Sequence, residues 1–421
     1  LHRPGAGFIN PGDRHARGAV PALMLRADLR SHGDVYLFTH NGDGMIRRRQ
    51  LFQTVAGLGL SSIGVAALAQ PRKIVLGQSA AFSGPASALG QQFKIGAQLL
   101  FDQTNARGGI NGRPVELLSL DDGYEPDRCA ENTKKLIDSG VFALFGYVGT
   151  PTGLIALPLA TAARVPWITP FTGAEALRSP FNRYAFHVRA SYFDETAEIV
   201  RHLTFAGLNR IGVMYQNDSY GKTGLEGVTR AMKPLGIEPV GLGTVERNTV
   251  DVDVAVKSIM AGKPDAIVQI SAYKSCAAFV RAARKAGFNG NLYNVSFVGT
   301  QALSTELGTD ARGVVVSQVM PYPFAPLSAL AHEYLNAGKS ALGDKFAPNY
   351  SSIEGYAAAK TLVEGLRRGG NNASPENLVT GLESLRDFNL GGFVVDFSPQ
   401  KHAASKYVDL VILTSDGRLR R

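Results

Sequence analysis

From Lys73 onward the chain alternates short β-rich runs with amphipathic stretches of helical length, and this alternation restricts its fold more than any other feature. Residues 73–80 form a short β-rich run closed by the turn residues Ser83, Gly84 and Pro85, which reads as a first strand. Behind it Phe93, Ala97, Leu100, Phe101 and Thr104 recur at helical spacing and stop at Gly108 and Gly109, a pair suited to a left-handed C-cap. Strands are expected over 115–120, 142–147, 167–170 and 184–188, with helices over 127–138 and 152–164 between them. The pattern then restarts, with helices over 192–205, 221–234, 250–261 and 275–286 and strands over 210–215, 240–245, 266–270, 292–296 and 314–319. A parallel connection needs a dozen or more residues to return, so this spacing means parallel sheets with crossover helices. Two comparable α/β halves follow. Helices over 327–341, 350–367 and 375–385 and strands over 393–397 and 407–414 are too few for a third domain and are expected to complete the first two.

The first seventy residues are of another kind. Met45 opens a stretch with Arg47, Arg48 and Arg49, an apolar run to Leu68 and the triplet Ala67-Leu68-Ala69, the three parts of a secretory signal peptide over 45–69. Cleavage is expected after Ala69, where small side chains fit a signal peptidase. The order Arg-Arg-Gln-Leu-Phe and the glycines at 57, 59 and 64 also suit a twin-arginine signal, so both export routes stay open. A membrane anchor is disfavoured because Gln53, Ser61 and Ser62 interrupt the run. No cysteine follows the cleavage point to carry a lipid, so a soluble periplasmic protein is expected. Residues 1–44 show no sustained period and read as an over-extended gene start, disordered if made.

The chain has 421 residues, 45% hydrophobic and 19% charged, which argues against a disordered, collagen-like or integral membrane protein. Its net charge of +9 invites a nucleic-acid reading, but eight arginines against four acids lie before residue 71. The remainder carries +5 without a basic stripe, and no nucleic-acid partner is expected. Cys129 and Cys276 fall in helices of different halves and are expected to be buried and unpaired.

Motifs for catalysis are missing. The first turn, residues 80–90, lacks the GxGxxG that lets a dinucleotide approach a helix. Gly221-Lys222-Thr223 imitates the end of a phosphate loop, but Gln216 stands where its first glycine belongs. There is no Gly-x-Ser-x-Gly, HExxH or paired CxxC, and the eight histidines form no ligand cluster. Asp121 and Asp122 are adjacent at a strand end, where neighbouring side chains point apart and solvate or cap. No cofactor and no metal are expected, and the chain is not read as an enzyme.

Two loops suggest binding instead. Residues 146–152 (Gly-Tyr-Val-Gly-Thr-Pro-Thr) lead from a strand into a helix, with Thr150 suited to the N-cap and Pro151 to the first turn. Unpaired backbone donors at such a helix start favour an anion. Residues 169–174 leave the next strand with Phe171, Thr172 and Gly173, again at the carboxyl edge of the sheet, so one ligand is within reach of both loops. The same residues also suit ordinary caps and turns.

Residues 82–86, 105–112, 120–122, 146–152, 166–174, 217–221 and 281–287, in this order, resemble a type I periplasmic solute-binding protein of the leucine/isoleucine/valine-binding family. The resemblance runs from about residue 72 to 421. It implies two Rossmann-like lobes, 71–190 with 322–396 and 191–321 with 397–421, joined by three crossover strands near residues 190–192, 320–322 and 396–399. It further implies capture of a small carboxylate, such as an amino acid or an aliphatic or aromatic acid, and delivery by a monomer to an inner-membrane ABC permease. Carried over by position, the carboxylate falls to Thr150, Phe171, Thr172 and Gly173, and Ser83, Leu89 and Tyr147, in or beside the matching stretches, are also expected to bind the ligand. Ser296 stands where amino-acid binders place an acid for the ammonium, with no carboxylate beside it, so Ser296→Asp is expected to improve amino-acid affinity. Ala272, followed by Tyr273, and Leu89 stand where those binders carry aromatics. Tyr220, Tyr273 and Phe297 with Phe171 supply an apolar pocket. A sensor on the same scaffold and an enzyme on a doubly wound fold are the alternative readings.

Overall fold

The computed structural model describes residues 73–420. The signal peptide read at 45–69, its cleavage point and the extension 1–44 lie outside the described residues. A first sheet contains β1 (Ile74–Ala80), β2 (Val115–Asp121), β3 (Ala143–Phe145), β4 (Trp167–Ile168) and β5 (Ala185–Phe186) in the order β2-β1-β3-β4-β5. All its pairings are parallel. A second sheet contains β6 (Ile211–Gln216), β7 (Gly241–Val245), β8 (Ala266–Ile270), β9 (Asn291–Asn294) and β10 (Val314–Gln318), in which β6 stands between β7 and β8 just as β1 stands between β2 and β3. Both halves are therefore wound the same way, and each has its switch in strand order beside its first strand, where ligands of open α/β sheets collect.

The hairpin β11 (Phe388–Asn389) and β12 (Val394–Val395) stands apart, while β13 (Asp409–Leu413) and β14 (Leu419–Arg420) extend the second sheet antiparallel. β8 and β10 are buried at every residue, as expected for strands covered on both faces. The covering helices are α1 (Ser87–Ala106), α2 (Pro126–Asp138), α3 (Thr150–Ala162), α4 (Tyr192–Phe205), α5 (Ser219–Met232), α6 (Asp253–Ala261), α7 (Tyr273–Lys285), α8 (Thr300–Leu307), α9 (Ala329–Leu342), α10 (Tyr350–Arg368) and α11 (Pro375–Glu383). None of them is long and apolar enough to cross a membrane. Cys129 on α2 and Cys276 on α7 are both buried and free.

The chain passes three times between the two sheet layers: from β5 into α4, from β10 into α9, and from β12 into β13. The second passage returns α9 and α10 to the first layer, where both pack on α1. The α1–α10 contact is nearly backbone against backbone. A Cβ at Gly96 would collide with the Ser352 carbonyl, and one at Gly355 with the Phe93 carbonyl. Neither obstacle is a flexible side chain, so the helices must part to admit a methyl group. Gly355→Ala is expected to cost about 2 kcal/mol, read as a lower urea midpoint; an unchanged midpoint would show that this contact is not close-packed.

Candidate functional site

The two loops singled out above are zipped together at the carboxyl edge of the first sheet. Phe171 donates its N–H to the Tyr147 carbonyl (2.7 Å), and Gly149 donates to the Phe171 carbonyl (3.2 Å). This pairing brings the Thr150 and Thr172 hydroxyls within 2.8 Å of each other. Thr172 donates onward to the Tyr192 hydroxyl (3.3 Å), and Tyr192 of α4 donates its N–H to the Gly173 carbonyl (2.7 Å). Gly149, not Thr150, is the N-cap of α3: its φ of 105° needs glycine, and Thr150 is already helical with its side chain turned to Thr172. A Cβ at Gly149 would strike the Tyr124 ring.

Opposite these loops stand the carboxyl ends of the second sheet. Phe297, in the turn after β9, packs its ring 5.7 Å from Phe171, 5.8 Å from Tyr124 and 4.7 Å from Tyr220 of α5. Tyr220 lies in turn 5.2 Å from Tyr192. All five rings are buried. The gap between the layers is thus filled by the chain's own aromatic side chains. Polar clamps hold its rim, where Glu125 accepts from Arg247 (2.8 Å) and Asn248 (2.7 Å), and Gln216 reaches the Tyr124 hydroxyl at 3.3 Å.

Beside Phe171 lies a buried ionic cluster that the sequence did not reveal. Arg189, on the first passage between layers, is 3.6 Å from Glu195 of α4 and 3.5 Å from Glu354 of α10, and its guanidinium lies 4.7 Å from the centre of the Phe171 ring. It also donates to the Ser296 hydroxyl. Glu195 is well satisfied, accepting from the Ser296 N–H (2.7 Å), the Ser296 hydroxyl (3.0 Å) and the Ser317 hydroxyl (2.5 Å). Glu354 accepts no hydrogen bond among the described residues and lines a cavity of about 10 Å³ with Phe171, Ser296, Gln318, Val319, Met320, Tyr350 and Ser351. Burial, against the pull of Arg189, pushes Glu354 up to about 7.

A family model described as periplasmic binding protein matches residues 73–418. The chain belongs to this family. Its type is the type I fold of the leucine/isoleucine/valine-binding proteins. The Leu/Ile/Val-binding protein BraC3 of Rhizobium johnstonii is 25% identical over 345 residues, 80% of this chain and 90% of its own. A possible leucine/isoleucine/valine-binding protein from Rhodopirellula baltica superposes with a TM-score of 0.80 at 34% identity, covering 83% of this chain and 96% of its own. A substrate-binding periplasmic protein from Ralstonia solanacearum gives 0.77 at 30% identity, covering 82% and 99%. The periplasmic binding proteins are solute binders, and this chain is accordingly not an enzyme.

Of the residues read from the sequence of this periplasmic binding protein, Thr150, Phe171, Thr172, Gly173, Tyr220, Ser296 and Phe297 meet at the junction between layers. Leu89 joins them, since its side chain occupies the space a Cβ at Gly299 would need. Three residues lie elsewhere. Ser83 is exposed and gives its hydroxyl to Asp121 (2.5 Å), Tyr147 turns into the first layer toward Thr133 (3.2 Å) and Trp167, and Tyr273 opens α7 without a ring partner among the described residues. Asp121 and Asp122 part as expected. Although burial raises Asp121, its hydrogen bonds from Ser83, Phe82 and Gly123 bring it down to about 2, whereas burial carries Asp122 up to about 6.

The expectation that no carboxylate stands beside Ser296 is overturned, because Glu195 does, from a helix 101 residues away in sequence. Ser296→Asp would add a third buried carboxylate around one guanidinium. It is now expected to lower stability by about 3 kcal/mol rather than improve binding, and a urea midpoint at or above that of the wild type would contradict this. Glu354 supplies a pH signature. Its folded value lies above the ordinary 4.5, so the folded form holds this proton more firmly than the unfolded chain. The stability it contributes is present below 4.5 and is lost as pH rises toward about 7. Urea unfolding of wild type minus E354Q should decline across that window; a flat difference would remove the burial argument.

Proposed function

We propose that this protein captures a small carboxylate in the periplasm, between two lobes that close on it, and hands it to an ABC permease. The observation that carries the reading is the zipped pair of turns. Thr150 and Thr172 stand side by side at the first turn of α3, at the carboxyl edge of one sheet, and face Phe297 and Tyr220 from the other. A helix start presents unpaired N–H groups and the positive end of the helix dipole, both of which favour an anion. The two hydroxyls that bond each other in the closed form are the ones that turn to the acid when it enters.

Entry requires the lobes to part, because the buried rings leave no ligand-sized space. The lobes are residues 73–190 with 322–404 and 191–321 with 405–421, the stretch 397–404 belonging to the first rather than the second because His402 and Ala404 bond back to His187 beside β5, and the three passages between layers serve as the hinge. A ligand stabilises closure only by touching both sides, so its differential affinity sets the shift between open and closed forms. The relatives named for leucine, isoleucine and valine put branched-chain amino acids first among candidates, followed by aliphatic and aromatic acids. Residues 45–69 act as the export signal, and the protein works as a monomer.

A thermal-shift screen of these amino acids and acids identifies binders. Calorimetric titration of a binder should then show Thr150→Ala and Gly173→Leu weakening affinity tenfold or more, about 1.4 kcal/mol. The leucine acts sterically, since even a Cβ at Gly173 lies 2.8 Å from the Tyr192 nitrogen. Unchanged affinity in both variants, or no binder among the acids, would refute the reading.

A further inference from the structure

A second cavity, of about 270 Å³, lies beside β5 and is walled by residues from 177–187 and 400–403. One water needs only about 10–15 Å³, so this space approaches the size of small-molecule sites. None of the residues read as ligand contacts lines it. Its walls come from one layer, because the chain after Ser398 runs back along the β5 edge, where His187 pairs with Ala403. Access to it therefore does not depend on how the two layers meet.

Arg178 brings a charge to this cavity that nothing neutralises at close range. Its Nη2 donates to the carbonyls of Arg189 (3.1 Å) and Ala190 (3.2 Å), which anchors the guanidinium on the first passage between layers. Its Nε is buried without a partner, and it forms no ion pair among the described residues. Glu175 and Asp194 act on it only from longer range. Burial lowers Arg178 to about 10, so the guanidinium stays charged at neutral pH. Lys401, which is exposed, is already paired with Asp396 (2.7 Å), and no acidic residue lines the cavity. A charge removed from water without a partner is costly, and an incoming anion offsets that cost. Planar carboxylates match a guanidinium best.

The remaining walls call for more than a bare ion. Leu177, Ala185 and Ala403 are apolar. The half-exposed Phe181 ring stands 4.7 Å from the His402 ring, which stacks on Phe186 at 3.8 Å. Flat faces of this kind hold a ring or a short apolar chain. We propose that this cavity is a second ligand site, for a small organic acid whose carboxylate pairs with Arg178 and whose apolar body lies against Phe181 and His402. The site is separate from the junction between layers and does not rest on the reading of that junction.

The test is titration of the purified protein, isotope-labelled at histidine, with benzoate and separately with inorganic phosphate. Imidazole magnetic resonance signals, assigned with His187→Gln and His402→Gln, report from the cavity wall. Benzoate is expected to shift one or both of these signals saturably while that of His332 on α9, outside the cavity, stays in place. Phosphate, which leaves the apolar walls bare, is expected to bind at least tenfold more weakly. Arg178→Gln should weaken benzoate tenfold or more, and so should Ala403→Trp, which fills the cavity without removing a charge. The second variant carries the test if loss of the Arg178 hydrogen bonds to the first passage unfolds the protein. Thr150→Ala, at the junction between layers, should leave the benzoate shifts intact. No saturable shift, benzoate affinity unchanged in the folded variants, or phosphate binding as tightly as benzoate would overturn the proposal. Shifts that vanish in Thr150→Ala would overturn it too, since they would report binding at the junction and leave that site standing.

Discussion

Arg189 is the point at which the two layers are tied to each other. It lies on the first passage between sheets, and its guanidinium meets the Phe171 ring of one layer and the Ser296 hydroxyl of the other while drawing Glu195 and Glu354 together. Loss of one partner from such a cluster leaves an uncompensated buried charge, typically about 3–5 kcal/mol. That cost fixes where the turn after β9 sits relative to the turn after β4, and the spacing of those turns sets what fits between them. A guanidinium, planar and always charged, suits a position where several acceptors arrive from different directions.

The aromatic rings have a different part. Phe171, Phe297, Tyr124, Tyr220 and Tyr192 form a continuous apolar contact that stabilises closure without a ligand. In the proposed function the ligand enters only when these rings separate, so the protein cannot rest entirely in that state. The rim contacts of Glu125 with Arg247 and Asn248 are partly exposed to solvent and contribute modestly. Closure is therefore a balance between apolar contact and the solvation of hydroxyls and carboxylates, and a ligand spanning both edges tips it.

Much of this was legible in the sequence because the signal was local. Strand 266–270 and helix 192–205 coincide with β8 and α4, and Ser191 closes a full capping box with Asp194. The carboxyl-edge turns were legible too, since the phenylalanine, threonine and glycine follow directly on a strand. The cap of α3 moved by one residue because Gly149 takes a positive φ that no side-chain pattern announces. Helix α8 was missed: it follows Gly299, itself in the left-handed region, and its eight residues carry little periodicity. The Arg189 cluster could not be read, since its members lie on separate elements and meet only through the fold. Buried charges on helices that otherwise look amphipathic were the available hint, and Glu354 in the nearly wholly buried α10 is the clearest of them.

In the proposed function the two sheet edges open and then close on an acid. Cys129 and Cys276 are buried, and burial pushes Cys129 up to about 12, so neither competes for a thiol label. Spin labels at Lys134→Cys on α2 and Lys257→Cys on α6, both exposed, report the distance between layers. Pulsed electron resonance should find a broad or long distribution in ligand-free protein that narrows to one shorter distance when a binding acid is added. Identical distributions with and without an acid that calorimetry shows to be bound would contradict the account.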